Sequence, residues 1–440
     1  MICKTYRYIL FMLPLAGTLC TGSAKGETQS ADSLSLSSII SEVIQNHPLV
    51  KQTIEEVNAS DAKIGFAEAN YLPNVDFTTA YSRVGPVSEM TLPGLGTFSL
   101  MPKDNYSATI NVNQTIYDFG KTKKNISLEQ QGKKIMLRSM EQVKQKLSQA
   151  VIGNYFTLVY LQEAIKIKQE QLNTLNEHLS YIQKKQATGS ATQYEVLTTQ
   201  VRISAIENQK TDLETAHRVQ VCQLNLLLGK PEATVELVKN EMSIAMPNLQ
   251  SDTLTSTAMQ NRDEMKLVRE KVKLMELRYS LIGSQNNPVL NAFVSGGIKN
   301  GYIPDQYAAK MNFVAGIGLK VPLFDGKRNR YSRTQAKSAI QVTDQEVEIA
   351  RRNLVSEVVE TQANVMASQK KVVQSELQLE HATQAYALAK VRFDSGVITN
   401  IELLEGSTVV SESHLMLLKS KIDYTLSLYK LKAAIGERLY

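Results

Sequence analysis

The sequence predicts a mainly α fold with a small β part, built as a tandem repeat of long helical hairpins. Three observations predict it. The stretch from Lys327 to Ser395 holds neither Gly nor Pro, glycine-centred turns recur at a fixed interval, and two regions switch from helical to alternating apolar spacing. With 22 Gly and 11 Pro in 440 residues, disordered, collagen-like and turn-dense all-β classes are excluded. The net charge of +6 is carried by scattered basic residues, so nucleic acid is not a predicted partner.

The chain opens with Lys4 and Arg7, an apolar run from Tyr8 to Ala16, and small residues up to Gly22-Ser23-Ala24. This order predicts a secretory signal peptide over residues 1–24. Of the three cysteines, Cys3 and Cys20 fall in that segment and only Cys222 remains beyond it. Cys20 raises lipidation as an alternative, but Leu19 before it is larger than such a site normally takes. The uncharged stretch from Tyr279 to Ile298 contains Pro288 and Gly296-Gly297, which disqualify it as a spanning helix of about 20 apolar residues.

Duplication organises the rest. Pro73 recurs as Pro288, Tyr117-Asp118-Phe119-Gly120-Lys121 as Leu323-Phe324-Asp325-Gly326-Lys327, Gly189 as Gly396, and Leu228-Gly229 as Ile435-Gly436. The first repeat is assigned to residues 25–238 and the second to 239–440. The interval shortens only between the proline and the aspartate, where the Gly- and Pro-rich segment 84–105 reads as an exposed, length-tolerant loop.

In each repeat a long amphipathic helix is predicted, over Lys121–Thr188 and Lys327–Ser395. In the first, apolar residues from Met136 through Val143, Leu147, Val151 and Tyr155 to Ile182 fall mostly three or four apart. Shorter helical stretches flank each one, about Leu36–Tyr71 and Ala191–Leu228, then about Thr253–Gln285 and Val397–Ile435. Laid end to end, two short helices match the length of one long helix. Strands are predicted at about 74–83, 106–118, 289–298 and 310–325. Val75, Phe77 and Tyr81 alternate with Asp76, Thr78 and Ser82, and Met311, Phe313, Ile317 and Leu319 alternate with polar or small residues. Segments of about ten residues with one apolar face suit a membrane barrel, and equally a soluble hairpin with one buried face.

Four strands cannot close a barrel, and an open edge in lipid leaves backbone groups unpaired. Export without a spanning helix therefore points to copies pooling strands. Three copies supply twelve, an even number in the range of outer-membrane barrels, with the long helices continuing as a trimeric α-barrel.

Here the sequence resembles the TolC family of outer-membrane efflux channels. The resemblance runs from Leu34 to Pro48, through Ala69-Asn70-Tyr71-Leu72-Pro73 and the junctions at Asp118 and Asp325, to the two glycine turns. It implies a homotrimer with a twelve-stranded barrel in outer-membrane lipid and a helical tunnel across the periplasm of a Gram-negative bacterium. It also implies a passive exit duct for drug efflux or type I secretion, with a periplasmic adaptor protein and an inner-membrane transporter of RND or ABC type as partners.

The same resemblance makes the two turns the adaptor-docking tips: Ala187, Thr188, Gly189, Ser190 and Ala191 in one, and Asp394, Ser395, Gly396 and Val397 in the other. Glu402 and Glu405, three apart on one helix face, are expected to line the tunnel's constriction. Six such carboxylates about one axis favour cations, and their crowding is expected to raise some of their pKa values. In the best-known member the closed gate also uses a Tyr three before the second glycine and an Arg two after it, tied to an Asp in the first turn. Phe393, Ile398 and Glu195 hold those places, so a different closure is expected, with Phe393 packed on Ile398.

No catalytic or metal-ligating set is predicted, and no cofactor. His47, His178, His217, His381 and His414 are scattered over helical stretches without paired metal spacing and read as helix-surface residues. The glycines around Gly94 and Gly296 lack a strand-to-helix phosphate context. The alternative from another class is an exported coiled-coil structural or adhesin-like surface protein. It predicts the long helices but not the alternating strands.

Overall fold

The computed structural model describes residues 35–94, 96–230, 238–240, 242 and 251–440. The predicted signal peptide, with Cys20, and most of the junction between the repeats lie outside the described residues.

The first repeat runs α1 (Leu36–Asn46), α2 (Pro48–Glu68), β1 (Asn74–Arg83), β2 (Glu89–Leu92), β3 (Gly96–Ser99), β4 (Asp104–Tyr117), α3 (Lys121–Ala187) and α4 (Gln193–Leu228). The second runs α5 (Ser251–Asn261), α6 (Asp263–Gly283), β5 (Val289–Lys299), β6 (Lys310–Lys320), α7 (Arg328–Asp394) and α8 (Asn400–Ala434). The long helices α3 and α7 have 67 residues each, so each runs about 100 Å. Both start 207 residues apart after an aspartate and two residues of positive φ, Phe119-Gly120 and Gly326-Lys327. The aspartates, rather than the glycines, are therefore the structurally equivalent positions. Asp118 accepts from the backbone N–H of Gly120 at 3.0 Å and of Thr122 at 2.6 Å, and Asp325 accepts from that of Asn329 at 2.9 Å. Each carboxylate thus satisfies N–H groups left unpaired at the helix start.

Each predicted leading helix is split in two. The first breaks at His47, whose imidazole Nδ1 accepts from the Leu49 N–H at 3.2 Å, with Pro48 opening the next helix. The second breaks at Arg262, 215 residues on, with nearly the same extended backbone. Arg262 holds the corner by bonding Glu264, Glu357 on α7 and the Ala434 carbonyl at the end of α8. In α1, Leu36, Ile39, Ile40 and Val43 make one buried stripe that joins Val151, Tyr155 and Phe156 of α3 and Leu224 and Leu228 of α4. In the other half, Leu354, Val358 and Val365 of α7 pack with Leu254, Ala258 and Met265 of α5 and α6 and with Tyr424, Leu428 and Leu431 of α8. Both α2 and α4 lie along α3, and both α6 and α8 along α7, as the length match predicts.

The sheet has order β1-β4-β5-β6, antiparallel throughout. Its register collects the apolar residues on one face. Phe77 is opposite Ile110, Val112 is between Val75 and Val294, and Ile298 is opposite Met311. The other face carries the row Asp76, Asn111 and Ser295, joined by hydrogen bonds of 2.9 Å and 2.6 Å. Phe293 falls on this polar face, against Gly316, where an added Cβ would meet its ring at 2.6 Å. The last strand ends at Lys320, short of the predicted 325. The segment expected to be only a loop carries a small hairpin, β2 with β3.

Candidate functional site at the helix tips

At the end away from the sheet, both hairpins turn in the same way. Gly189 donates to the Gln186 carbonyl and Ser190 to that of Lys185, and Gly396 donates to Phe393 and Val397 to Arg392, at 2.8–3.0 Å. These paired bonds close each long helix, and they require a left-handed residue, with φ of 77° at Gly189 and 72° at Gly396. Ala187, Thr188, Gly189 and Ser190 of one turn and Asp394, Ser395, Gly396 and Val397 of the other are exposed, while Ala191 is half-buried.

The return helices begin with matching capping boxes. Thr192 and Glu195 open α4, and Thr399 and Glu402 open α8. In each, the threonine hydroxyl accepts from the glutamate N–H at 3.3 Å. The glutamate Oε2 accepts in return from the threonine N–H, at 2.6 Å in α4 and 2.7 Å in α8. Hydrogen bonds from the Thr399 backbone, then from its hydroxyl, hold the Glu402 carboxyl below its ordinary pKa. Within one chain the direction is thus opposite to that expected from crowding. Glu405 is exposed one turn further on.

Beneath the turns lies an apolar plug. Phe393 is 7% exposed and is buried with Ile182, Val196 and Leu403, with Ile398, Ala191 and Tyr386 packed against them. This packing draws on all four helices at the tips. Lys185 lies over the rings of Tyr181 at 4.7 Å and Phe393 at 5.3 Å.

The polar connection between the hairpins went unnoticed in the sequence. Asn400, 2% exposed, donates from its amide to the Glu195 carbonyl at 3.2 Å and the Thr199 hydroxyl at 3.1 Å, while its Oδ1 is 2.6 Å from His178 Nε2. One side chain at the start of α8 thereby ties α3 and α4 together. His178 is therefore a bridging residue, not a helix-surface one. Tyr181 on α3 donates to Asp394 on α7 at 3.3 Å, a tyrosine–carboxylate link between the two hairpins. The readable signals were the spacings Thr192-Gln-Tyr-Glu195 and Thr399-Asn-Ile-Glu402, which announce helix starts. The pairing of His178 with Asn400 has no signal in a linear sequence.

A family model described as outer membrane efflux protein matches residues 39–230 and 254–437, one block per repeat. The outer membrane protein TolC of Vibrio cholerae is 20% identical over 436 residues, covering 97% of this chain and 95% of that protein. Nodulation protein T of Rhizobium leguminosarum bv. trifolii is 20% identical over 410 residues, covering 91% and 85%. Among solved structures, the outer membrane protein VceC of Vibrio cholerae superposes with a TM-score of 0.74 at 16% identity, covering 92% of this chain and 97% of that one.

Proposed function

The chain belongs to the outer membrane efflux protein family, and from that premise we propose that it is the passive, trimeric exit duct of a tripartite efflux or type I secretion system. Substrates reach it from an inner-membrane pump of RND or ABC type through a periplasmic adaptor. The adaptor docks on the exposed turns around Gly189 and Gly396, and the channel is gated beside them, where Glu402, Glu405 and Glu195 stand with Phe393 and Ile398.

The observation that carries this reading is the two-faced sheet with unpaired edges. In the single chain, β1 and β6 each pair on one side only, and the apolar face leaves Phe77 69%, Phe313 83% and Met311 89% exposed. A lone sheet of that kind is unstable in water and unsatisfied in lipid. Joining β1 of one copy to β6 of the next pairs every edge, turns the apolar face to lipid and encloses the polar Asp76, Asn111 and Ser295 row in the lumen. The helices continue from the strands, so the same symmetry closes them into a tunnel with the turns at its far end.

Detergent extraction tests the proposal. The protein should leave the outer-membrane fraction as a trimer and conduct ions in planar bilayers. A monomer recovered from the aqueous periplasmic fraction overturns it.

A further inference from the structure

We propose that a buried layer between α3, α4 and α8, in the third of α3 nearest the turns, binds a small monovalent anion of chloride size through Lys168, Gln171, Arg202 and Ser411. The layer lies roughly 20 Å along α3 from the Ile182 plug, beside the cluster in which Leu172 and Leu175 of α3, Ile203 and Ile206 of α4 and Leu404 of α8 are buried together.

Its side chains offer donors without acceptors. Lys168 is 4% exposed and spends one N–H on Gln171 Oε1 at 3.2 Å. Gln171, 6% exposed, has an amide Nε2 with no partner, as have Arg202 Nε and the hydroxyl of Ser411, 5% exposed. Arg202 is fixed by its Nη2, which donates to Thr408, one turn from Ser411 on α8. The charged groups bearing on Lys168 are Arg202 and Glu412, and Glu412 is exposed. Burial, with Arg202 adding to it and Glu412 opposing, pushes the Lys168 ammonium below its ordinary pKa. Two cations thus face one solvated carboxylate, beside two more buried donors.

A water molecule answers this poorly. It accepts two hydrogen bonds and brings two donors of its own, so donors remain in excess. A halide accepts from four or more directions, brings no donor and offsets the second positive charge. The other repeat shows what this layer is without the charge. At the position of Lys168 in α7 stands Ser375, paired with Ser420 at 2.9 Å. At that of Gln171 stands Gln378, whose amide donates to Ser413. Those neutral layers are satisfied within the protein, so the orphaned donors belong to this layer and not to the helix-packing pattern.

The test uses the purified full-length mature protein in detergent. Crystals grown in bromide should show anomalous density in contact with Lys168 Nζ and the Gln171 amide. The Tm in chloride or bromide should exceed that in gluconate at equal ionic strength by about 2–4 °C, saturably. Ser411→Ala should weaken bromide roughly 5–10-fold. Lys168→Met should abolish the anion dependence, because it removes the buried positive charge that the anion offsets. Water alone at the site, equal Tm in all three anions, or an anion dependence that survives Lys168→Met overturns the proposal. Should Lys168→Met fail to fold, the anomalous map of the unaltered protein decides.

Discussion

At the residue scale, the tips hold groups that tie the hairpins together and, on the proposed reading, acidic groups that set the tunnel's charge. Asn400 belongs to the first kind. Replacing it with Ala strips the hydrogen bonds from His178 and Thr199 and leaves buried polar atoms unpaired, at a cost of about 1–3 kcal/mol. Asn400→Ala should therefore loosen α8 from α3 and α4 and raise the open probability of single channels in planar bilayers. Unaltered gating would show that the Phe393 plug alone keeps the tip shut. Glu405 and Glu402 are proposed to be of the second kind, although Glu402 also caps its helix. Because Thr399 holds the Glu402 carboxyl low, it stays ionised as pH falls to the ordinary glutamate value of about 4.3. Cation selectivity should accordingly persist to that pH and fade below it, and Glu402→Ala with Glu405→Ala should relax it at neutral pH. A double variant with unchanged selectivity and unchanged block by divalent cations would remove these two residues from the constriction.

At the scale of elements, the repeat predicts equal roles for equivalent turns, yet neighbours make their tolerances differ. Gly229 and Gly436 end α4 and the α8 turn with φ of 67° and 82°. A Cβ on Gly229 meets nothing, whereas one on Gly436 comes within 2.8 Å of the Arg262 backbone nitrogen and the Asn261 carbonyl carbon. Gly229→Ala should cost only the left-handed strain, about 1–2 kcal/mol, and Gly436→Ala that strain plus a backbone clash, together about 2–5 kcal/mol. Thermal unfolding of the two variants side by side checks this, and equal losses would contradict it. The same contrast shows what the sequence could disclose. The long helices and their turns were legible because Gly, Pro and apolar spacing act locally, and β1 was found from Asn74 to Arg83 because alternation is local too. The breaks in the leading helices were not, since the predicted helix runs through Pro48 at the first and the second, at Arg262, is held by Glu357, some 95 residues away in α7. Phe293 falls on the polar face because the strand register, unseen in one sequence, sets its side. At the tips the turns were legible, but the Asn400 bridge joins positions more than 200 residues apart.

At the scale of the whole molecule, the proposed channel depends on how β1 meets β6 of another copy. Within the chain the strands are held by antiparallel ladders, with one close approach at a glycine. A Cβ on Gly297 would lie 2.1 Å from the Ala108 carbonyl oxygen, so no larger residue fits between β4 and β5. The outer edges have no such internal partner, and their fate rests on assembly. If they pair antiparallel, as every neighbouring pair in this sheet does, one cysteine on each edge can report it. Thr79→Cys and Ala315→Cys both lie on the apolar face near mid-strand, in a background of Cys222→Ser that removes the exposed native thiol. Facing cysteines in adjacent strands have Cβ atoms about 4.5–5.5 Å apart, and diagonal ones remain within reach of a short bifunctional thiol reagent. Cross-linking in membranes should convert the double variant to a covalent trimer on denaturing gels, with dimer as the intermediate and no product larger than a trimer, because closing the ring leaves no free edge. Each single variant should stay monomeric under the same treatment. A ladder extending beyond trimer would mean that the edges stack without closing. An absence of any cross-link across several registers of the same two strands would mean that β1 and β6 do not meet.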